Sequence, residues 1–263
     1  MVATLLHEIP LQGGDVTDGV VRVGDTVRRP ASTSTPAVHA LLRHLEAAGF
    51  DGAPRVLGFD GFGREVLTFL PGTTGLRLES VSDEALAGLA ELVRRFHDAT
   101  VGFPLTMDGW EGGSNDDKAP EVIGHCDLTP ENVIFRATDP TTPYALIDFD
   151  LARPTTRLFD IVTTLRHWAP ISDPVDRTPL LRTVDVGARL RLFCDAYGLP
   201  PRDRRRLLEL ARLRFHRSYT VMRTRASSGG NWAKMWASGA GERIRRAAAW
   251  LDVHEDELHA HLV

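Results

Sequence analysis

The stretch from Gly124 to Asp150, GHCDLTPENVIFRATDPTTPYALIDFD, sets His125, Asp127, Glu131, Asn132, Asp148 and Asp150 beside two apolar runs, Val133 to Phe135 and Ala145 to Ile147. Both runs are short and carry residues that favour pleated backbone, so they read as two strands joined by a Pro-rich turn. Asp127 lies five residues before Asn132 in a loop ahead of the first strand, and Asp148 ends the second. A tight hairpin therefore brings Asn132 and Asp148 to one edge, with Asp127 on the approach. An amide oxygen beside a carboxylate suits a hard divalent cation such as magnesium, which takes oxygen ligands and draws the rest of its shell from water and phosphate. The competing reading is a set of turn and capping acids around a hairpin.

Upstream of this stretch the punctuation is that of short strands. GVVRV (19–23) and TVRR (26–29) flank a Gly24-Asp25 turn, which is a hairpin signal. Thr35-Pro36 opens a helix with Val38, Leu41, Leu42 and Leu45 on one face and Gly49 at its end. RVLGF and REVLTFL add two strands, and Pro71-Gly72 ends the second. A helix follows from Asp83 to Ala99, and the chain beyond Phe159 reads as helices at 159–167, 180–197, 202–225 and 240–251, with SSGGNWA near Ser227 as a loop. The predicted fold is α+β, with a strand-rich nucleotide-binding lobe at 1–70 and a larger, mainly helical lobe at 71–263.

Composition excludes several classes. A chain of 263 residues, 43% hydrophobic, is long enough for two lobes. A net charge of −4 speaks against nucleic-acid coating, which needs a strongly basic face. Cys126 and Cys194 are the only cysteines, no leader-like segment opens the chain and no apolar run reaches spanning length. The expectation is a cytoplasmic protein with no membrane or nucleic-acid partner, monomeric or dimeric. Lys118 and Lys234 are the only lysines, so arginine must supply nearly every cation.

HCDLTPEN resembles the H-x-D-x-x-x-x-N catalytic loop of the protein-kinase-like superfamily, and IDFD resembles its metal-binding Asp-Phe-Gly motif. GHCDLTPENVIF followed by ALIDFDLA is closer still to the aminoglycoside phosphotransferase family of small-molecule kinases, a group that includes choline-kinase-like members. The resemblance runs from about Gly13 to Trp168. It implies an ATP- or GTP-dependent transfer to a hydroxyl of a small acceptor, with Asp127 accepting or orienting the hydroxyl proton and Asn132 and Asp148 holding Mg2+. His125 would prop the loop, Asp160 would hold it by backbone hydrogen bonds, and Asp150 offers a second metal contact. Three polar positions at the family spacing, each against the right strand, weigh against the capping alternative.

On the nucleotide side, LQGGDVTDGVVRV resembles the family's glycine-containing turn, so that Gly14, Asp15, Val16 and Thr17 would cover the phosphates with backbone amides. The family's phosphate-binding lysine is missing. Strand alternation puts Arg28 and Thr26 on one face and Val27 on the other, and Arg28 is the chosen replacement, with Arg29 second. The following helix has His39 where an acidic partner is expected. LTFLPG resembles the hinge, where Thr68 and Leu70 would present a backbone carbonyl and N–H to adenine.

The acceptor is less legible. The acidic loop WEGGSNDDKAPE (110–121) could attract a cation such as an aminoglycoside, and the basic segment PPRDRRRLLELARLRFHR (200–217) could meet an anion, while a solvated surface accounts for either. His254, His259 and His261 near the C-terminus have no spacing that demands a metal. Two other classes stand beside the small-molecule kinase. One is a kinase-like binding or immunity protein that sequesters a toxin or nucleotide, favoured by the missing lysine. The other is a protein kinase, opposed by the short interval between Asp148 and Asp160.

Overall fold

Gly24, at φ 59°, supplies the positive backbone angle that lets the Gly24-Asp25 turn reverse the chain between β2 (Val21–Val23) and β3 (Thr26–Arg29). The computed structural model describes residues 7–11 and 19–263 of the chain. A short strand, β1 (Ile9–Pro10), pairs with the outer edge of β2. Helix α1 (Thr35–Ala47) then opens with Pro36 in its first turn and buries Val38, Leu41, Leu42 and Leu45. Strands β4 (Val56–Phe59) and β5 (Glu65–Thr68) complete an antiparallel sheet in the order β1-β2-β3-β5-β4. β5 crosses back to lie beside β3, which sets Arg29 directly opposite Glu65.

A short strand β6 (Thr73–Thr74) leads out of this lobe into α2 (Asp83–Ala99). Ser82 caps α2 by accepting from the Ala85 amide, and Asp83 and Glu84 complement the positive end of the helix. Its apolar face, Leu86, Leu89, Leu92, Val93 and Phe96, is fully buried against β9 (Asp139–Leu146) and α4 (Val186–Tyr197). At about 1.5–3 kcal/mol for each large apolar side chain buried, this stripe is a principal tie between hairpin and helices.

Strand β7 (Val122–Gly124) pairs with β10 (Arg153–Thr155), and β8 (Val133–Arg136) lies between β6 and β9. The Pro-rich segment expected to be the turn between β8 and β9 is itself strand, and Ala137-Thr138 make the turn. Pro140 and Pro143 fit there because β9 is an edge strand and needs fewer backbone donors, and the register shifts around Phe135 absorb the irregularity.

The C-terminal helices are α3 (Arg157–Trp168), α4, α5 (Pro201–Arg204), α6 (Leu207–Ser227), α7 (Gly230–Ala237) and α8 (Ala240–Leu262). Four expectations are corrected here. The helix expected from Leu180 begins at Val186, because Asp185 takes the cap position and accepts from the Ala188 amide at 2.9 Å. The helix expected from Arg202 to Arg225 is divided into α5 and α6 at Arg205-Arg206. SSGGNWA is not simply a loop, since Gly230 starts a helix that carries Trp232 and Trp236. The last helix runs on to Leu262, where Leu258 and Leu262 join the core.

One apolar core runs from Leu41 and Leu45 in α1 through Phe96 to Phe159, Trp168 and Phe193. Trp168 is fully buried beneath the loop that follows β7, and its indole Nε1 donates to the Leu128 carbonyl at 2.8 Å. No described helix is long and apolar enough to cross a membrane.

Candidate active site

The loop 125–132 is fixed from behind by one buried carboxylate. Asp160, in the first turn of α3, accepts from the His125 amide at 3.0 Å, from the Cys126 amide at 2.7 Å and from His97 Nε2 at 2.9 Å. His97 in turn meets the Tyr197 hydroxyl at 2.8 Å. Burial alone would raise the Asp160 pKa, but the bonds from His97 and the loop amides more than offset it and hold the group below its ordinary range. Cys126 takes φ 62°, a left-handed conformation uncommon for a side chain other than glycine, so the loop is bent where Asp160 grips it. The Cys126 thiol is pushed up to about 12 by burial and stays neutral.

His125 lies wholly inside. Its Nε2 donates to the Ile147 carbonyl at 2.9 Å, tying the loop to the residue before Asp148. Nδ1 is buried with no hydrogen-bond partner, and burial holds the ring pKa below its ordinary value, so the imidazole is neutral. This is a propping geometry, since neither ring nitrogen faces the cavity.

The hairpin then sets the polar groups together. Val133 pairs with Leu146, and the Ile147 amide bonds the Asn132 carbonyl at 2.9 Å, so the ladder continues to the point where Asp148 leaves it at φ 62°. Asn132 Nδ2 donates to the Asp127 carbonyl at 2.8 Å and to the Asp127 carboxylate at 3.2 Å. That fixes the Asn132 amide with its nitrogen toward Asp127 and leaves Oδ1 as the metal-type donor. Asp127, Asn132 and Asp148 line one cavity of about 290 Å³. Burial, and then the neighbouring charge of Asp148, push the Asp127 carboxyl up to about 7. These oxygens fit magnesium: the donors are hard, and the crowding of Asp148 on Asp127 is what a divalent cation would relieve. Among the described residues, no group of three or more His, Cys, Asp or Glu side chains is arranged to hold a metal ion, the C-terminal histidines included.

The β3 cation that faces Asp148 is Arg29, not Arg28 as expected from the sequence. Arg29 Nε bonds Glu65 at 2.6 Å, Nη1 bonds Asp148 at 2.9 Å, and Nη2 bonds Asp150. Arg28 points to the other side of the sheet, where its nearest acid is Asp60 at 3.6 Å. Alternation along β3 was sound, but only the pairing of Arg29 with Glu65 shows which face meets the hairpin. Glu65 is 1% exposed and also bonds His39 Nε2 at 2.8 Å, so the acid sought on α1 comes from β5, with the α1 histidine bridging to it. Burial works against the charge of Arg29, but Asp148 and Glu65 outweigh it and raise its pKa.

Gly14, Asp15, Val16 and Thr17 lie outside the described residues. Thr68 ends β5 with its amide on the Arg55 carbonyl at 3.0 Å; the Phe69 amide bonds Asp25, and Leu70 follows half-buried at the exit from the sheet. Sequence reasoning missed Glu65, whose signal is its place opposite Arg29 once the strands are paired. It also missed Arg153, Arg166 and Arg214, which enter the cavity beside Asp127 from β10, α3 and α6.

A small sheet lobe, a helical lobe and an Asp-Asn-Asp cluster between them define a protein-kinase-like phosphotransferase fold. Residues 11–119 and 110–210 match the Phosphotransferase enzyme family (APH), and the chain belongs to it. It is 32% identical over 269 residues to a trifolitoxin immunity protein of Rhizobium leguminosarum bv. trifolii, covering 97% of this chain and 98% of that one. Among solved structures it resembles a choline/ethanolamine kinase family protein from Mesorhizobium loti, with a TM-score of 0.62, 17% identity and coverage of 99% of this chain and 94% of that one. It also resembles aminoglycoside 2'-phosphotransferase-IIIa in its GDP complex, with a TM-score of 0.58, 15% identity and coverage of 92% of each chain.

Proposed function

We propose that this protein is a nucleotide-dependent kinase that phosphorylates a hydroxyl group of a small molecule. The observation that carries the reading is the convergence of Asp127, Asn132 and Asp148 on one cavity, with Asp127 steered by the Asn132 amide. Asp127 takes the proton of the acceptor hydroxyl as its oxygen bonds to the γ-phosphorus of ATP or GTP, while the bond from that phosphorus to the β,γ-bridging oxygen breaks. Mg2+ bound at Asn132 and Asp148 would neutralise charge on the phosphates. Arg29, anchored on Glu65, adds a second positive charge on the nucleotide side, and Thr68 and Leu70 offer backbone groups to the base.

The fold positions these groups through its backbone, with Asp160 and His125 holding the loop that carries Asp127. Positioning and charge neutralisation are the main resources in phosphoryl transfer, so the arrangement suits the chemistry. Replacing Asp127 with Ala is expected to lower turnover by about 10²- to 10⁴-fold while Mg-ATP still binds by calorimetry. Near-normal turnover in that variant would remove Asp127 from the reaction.

A second reading is favoured by the 32% identity to a trifolitoxin immunity protein. On that reading the chain protects by binding its ligand without phosphorylating it. A screen of ATP consumption over hydroxylated antibiotics and metabolites separates the two, because tight ATP binding with no consumption on any acceptor favours sequestration.

A further inference from the structure

The cavity beside Asp127 is rich in arginine. Arg153 comes from β10, Arg166 from α3, Arg214 and Arg225 from α6, and Arg243 from α8. Arg214 is only 8% exposed; its Nε donates to the Thr163 hydroxyl at 3.0 Å, and its Nη1 is buried with no hydrogen-bond partner. Arg153 is 5% exposed, and its two terminal nitrogens donate to the carbonyls of Leu151 and Ser114 at 2.7 and 2.6 Å. Those acceptors are neutral, so its charge meets no carboxylate through them. A Cβ at position 113 would lie 2.6 Å from Arg153 Cζ, so Gly113 lets the loop close over this guanidinium.

The charges are close enough to oppose one another. Burial and then the charge of Arg166 lower Arg214 to about 9, and burial and then Arg243 lower Arg166 to about 10. Burial, with Arg166 and Arg214, drives His167 well below its ordinary range. Asp127 supplies one negative charge facing Arg214 and Arg153, and a surplus of buried cations over carboxylates is costly and is retained where a further anion completes it.

The acidic loop 110–121 does not turn the cavity negative. Glu111 is bound to Arg225 at 2.8 Å, Asp117 to Arg217, and Asp116 accepts from the Thr156 hydroxyl at 2.9 Å. What this loop presents to the cavity is Gly112, Gly113 and Ser114. Asp127, Glu131 and Asp148 are the carboxylates in the lining, and Asp148 is committed to Arg29.

We propose that the acceptor is a hydroxyl-bearing organic anion, whose carboxylate or phosphate group is bound by Arg214 and Arg153 while its hydroxyl is held at Asp127. This rests on the kinase reading for the fate of the hydroxyl, and on the arginine geometry alone for the anion. Trp232, with the Arg225 guanidinium 4.6 Å from its ring centre, and Met222 give the remaining wall an apolar character, so the anion sits on a carbon framework. A polycationic aminoglycoside would meet the wrong sign of charge.

The test is a matched panel of glycerol, glycerate, glycerol 3-phosphate and kanamycin, measured for binding by calorimetry and for ATP consumption, on the full chain and on Arg214→Met. The expected result is that one or both anions bind and glycerol and kanamycin do not, with the two anions distinguishing carboxylate from phosphate. Arg214→Met should weaken anion binding by about 10- to 100-fold, as loss of a charge-assisted hydrogen bond implies, and leave Mg-ATP binding unchanged. Anion binding that needs Arg214 but is never accompanied by ATP consumption would defeat the kinase reading and leave the anion site standing. Kanamycin binding as tightly as the anions, no anion binding above glycerol, or anion binding unchanged in a folded Arg214→Met would overturn the proposal.

Discussion

Two groups of arginine flank the loop 125–132 and differ in how their charge is met. Arg29, at the end of β3, is bonded to Glu65, Asp148 and Asp150. Arg214 and Arg153, in the cavity beside Asp127, are as deeply buried, yet their hydrogen-bond partners are a hydroxyl and two backbone carbonyls. A guanidinium surrounded by carboxylates is a brace within the protein, whereas one satisfied only by neutral oxygens keeps its attraction for an incoming anion. The identity of the residue therefore says little; the counter-charge decides its use.

The loop between the two groups serves both, so the largest effect should come from releasing it. Asp160→Asn keeps the shape and removes the charge that joins His97 to the loop amides. Loss of about 3 kcal/mol or more is expected at pH 7, since each hydrogen bond to a buried charged group contributes about 1.5–3 kcal/mol, read from urea midpoints. The folded pKa of Asp160 is depressed, so its contribution is complete above the unfolded value of about 3.9 and is lost as pH falls through the folded pKa. The gap between wild type and variant should therefore narrow at pH 3. A constant gap would mean that shape, rather than charge, carries the bond.

A narrower effect is expected from Arg29→Met. It strands Glu65 and Asp148, so the apparent KM for ATP should rise by at least about 10-fold, as for a lost charge-assisted hydrogen bond, with anion binding at Arg214 retained. Equal loss on both sides of the loop would show that the two arginine groups are one network. The smallest effect should come from Arg28→Ala. Its ion pair with Asp60 is long and Asp60 is already held by Arg64 at 2.8 Å, so ATP kinetics should stay within about twofold and stability within about 1 kcal/mol. A large rise in KM for this variant would restore Arg28 to the phosphates.

The sequence was most informative where chemistry is local. Asp127, Asn132 and Asp148 share one loop and one hairpin, and their neighbourhood follows from the pairing of the two strands even though the turn between them was misplaced. Alternation divides β3 into two faces without saying which is inward, so it does not decide between Arg28 and Arg29; that answer needs the register of β3 against β5. Glu65 was invisible for the same reason. The cavity beside Asp127 is least legible in the sequence, since Arg153, Arg166 and Arg214 come from three elements that meet only in the tertiary packing. The basic helix and the acidic loop, read separately as solvated surfaces or opposite ligand sites, turn out to be joined to each other by Arg217 with Asp117 and Arg225 with Glu111.

Trp168 gives the loop 125–132 an optical signature. Its indole is sealed from solvent and donates to Leu128, next to Asp127 in the chain, so its emission belongs to the short-wavelength, interior class. Any ligand that straightens or slackens the loop must alter the surroundings of that indole. Replacing the four other tryptophans would leave a single native tryptophan hydrogen-bonded to the residue that follows Asp127, and occupancy of the cavity could be followed by light without a coupled assay or a labelled substrate.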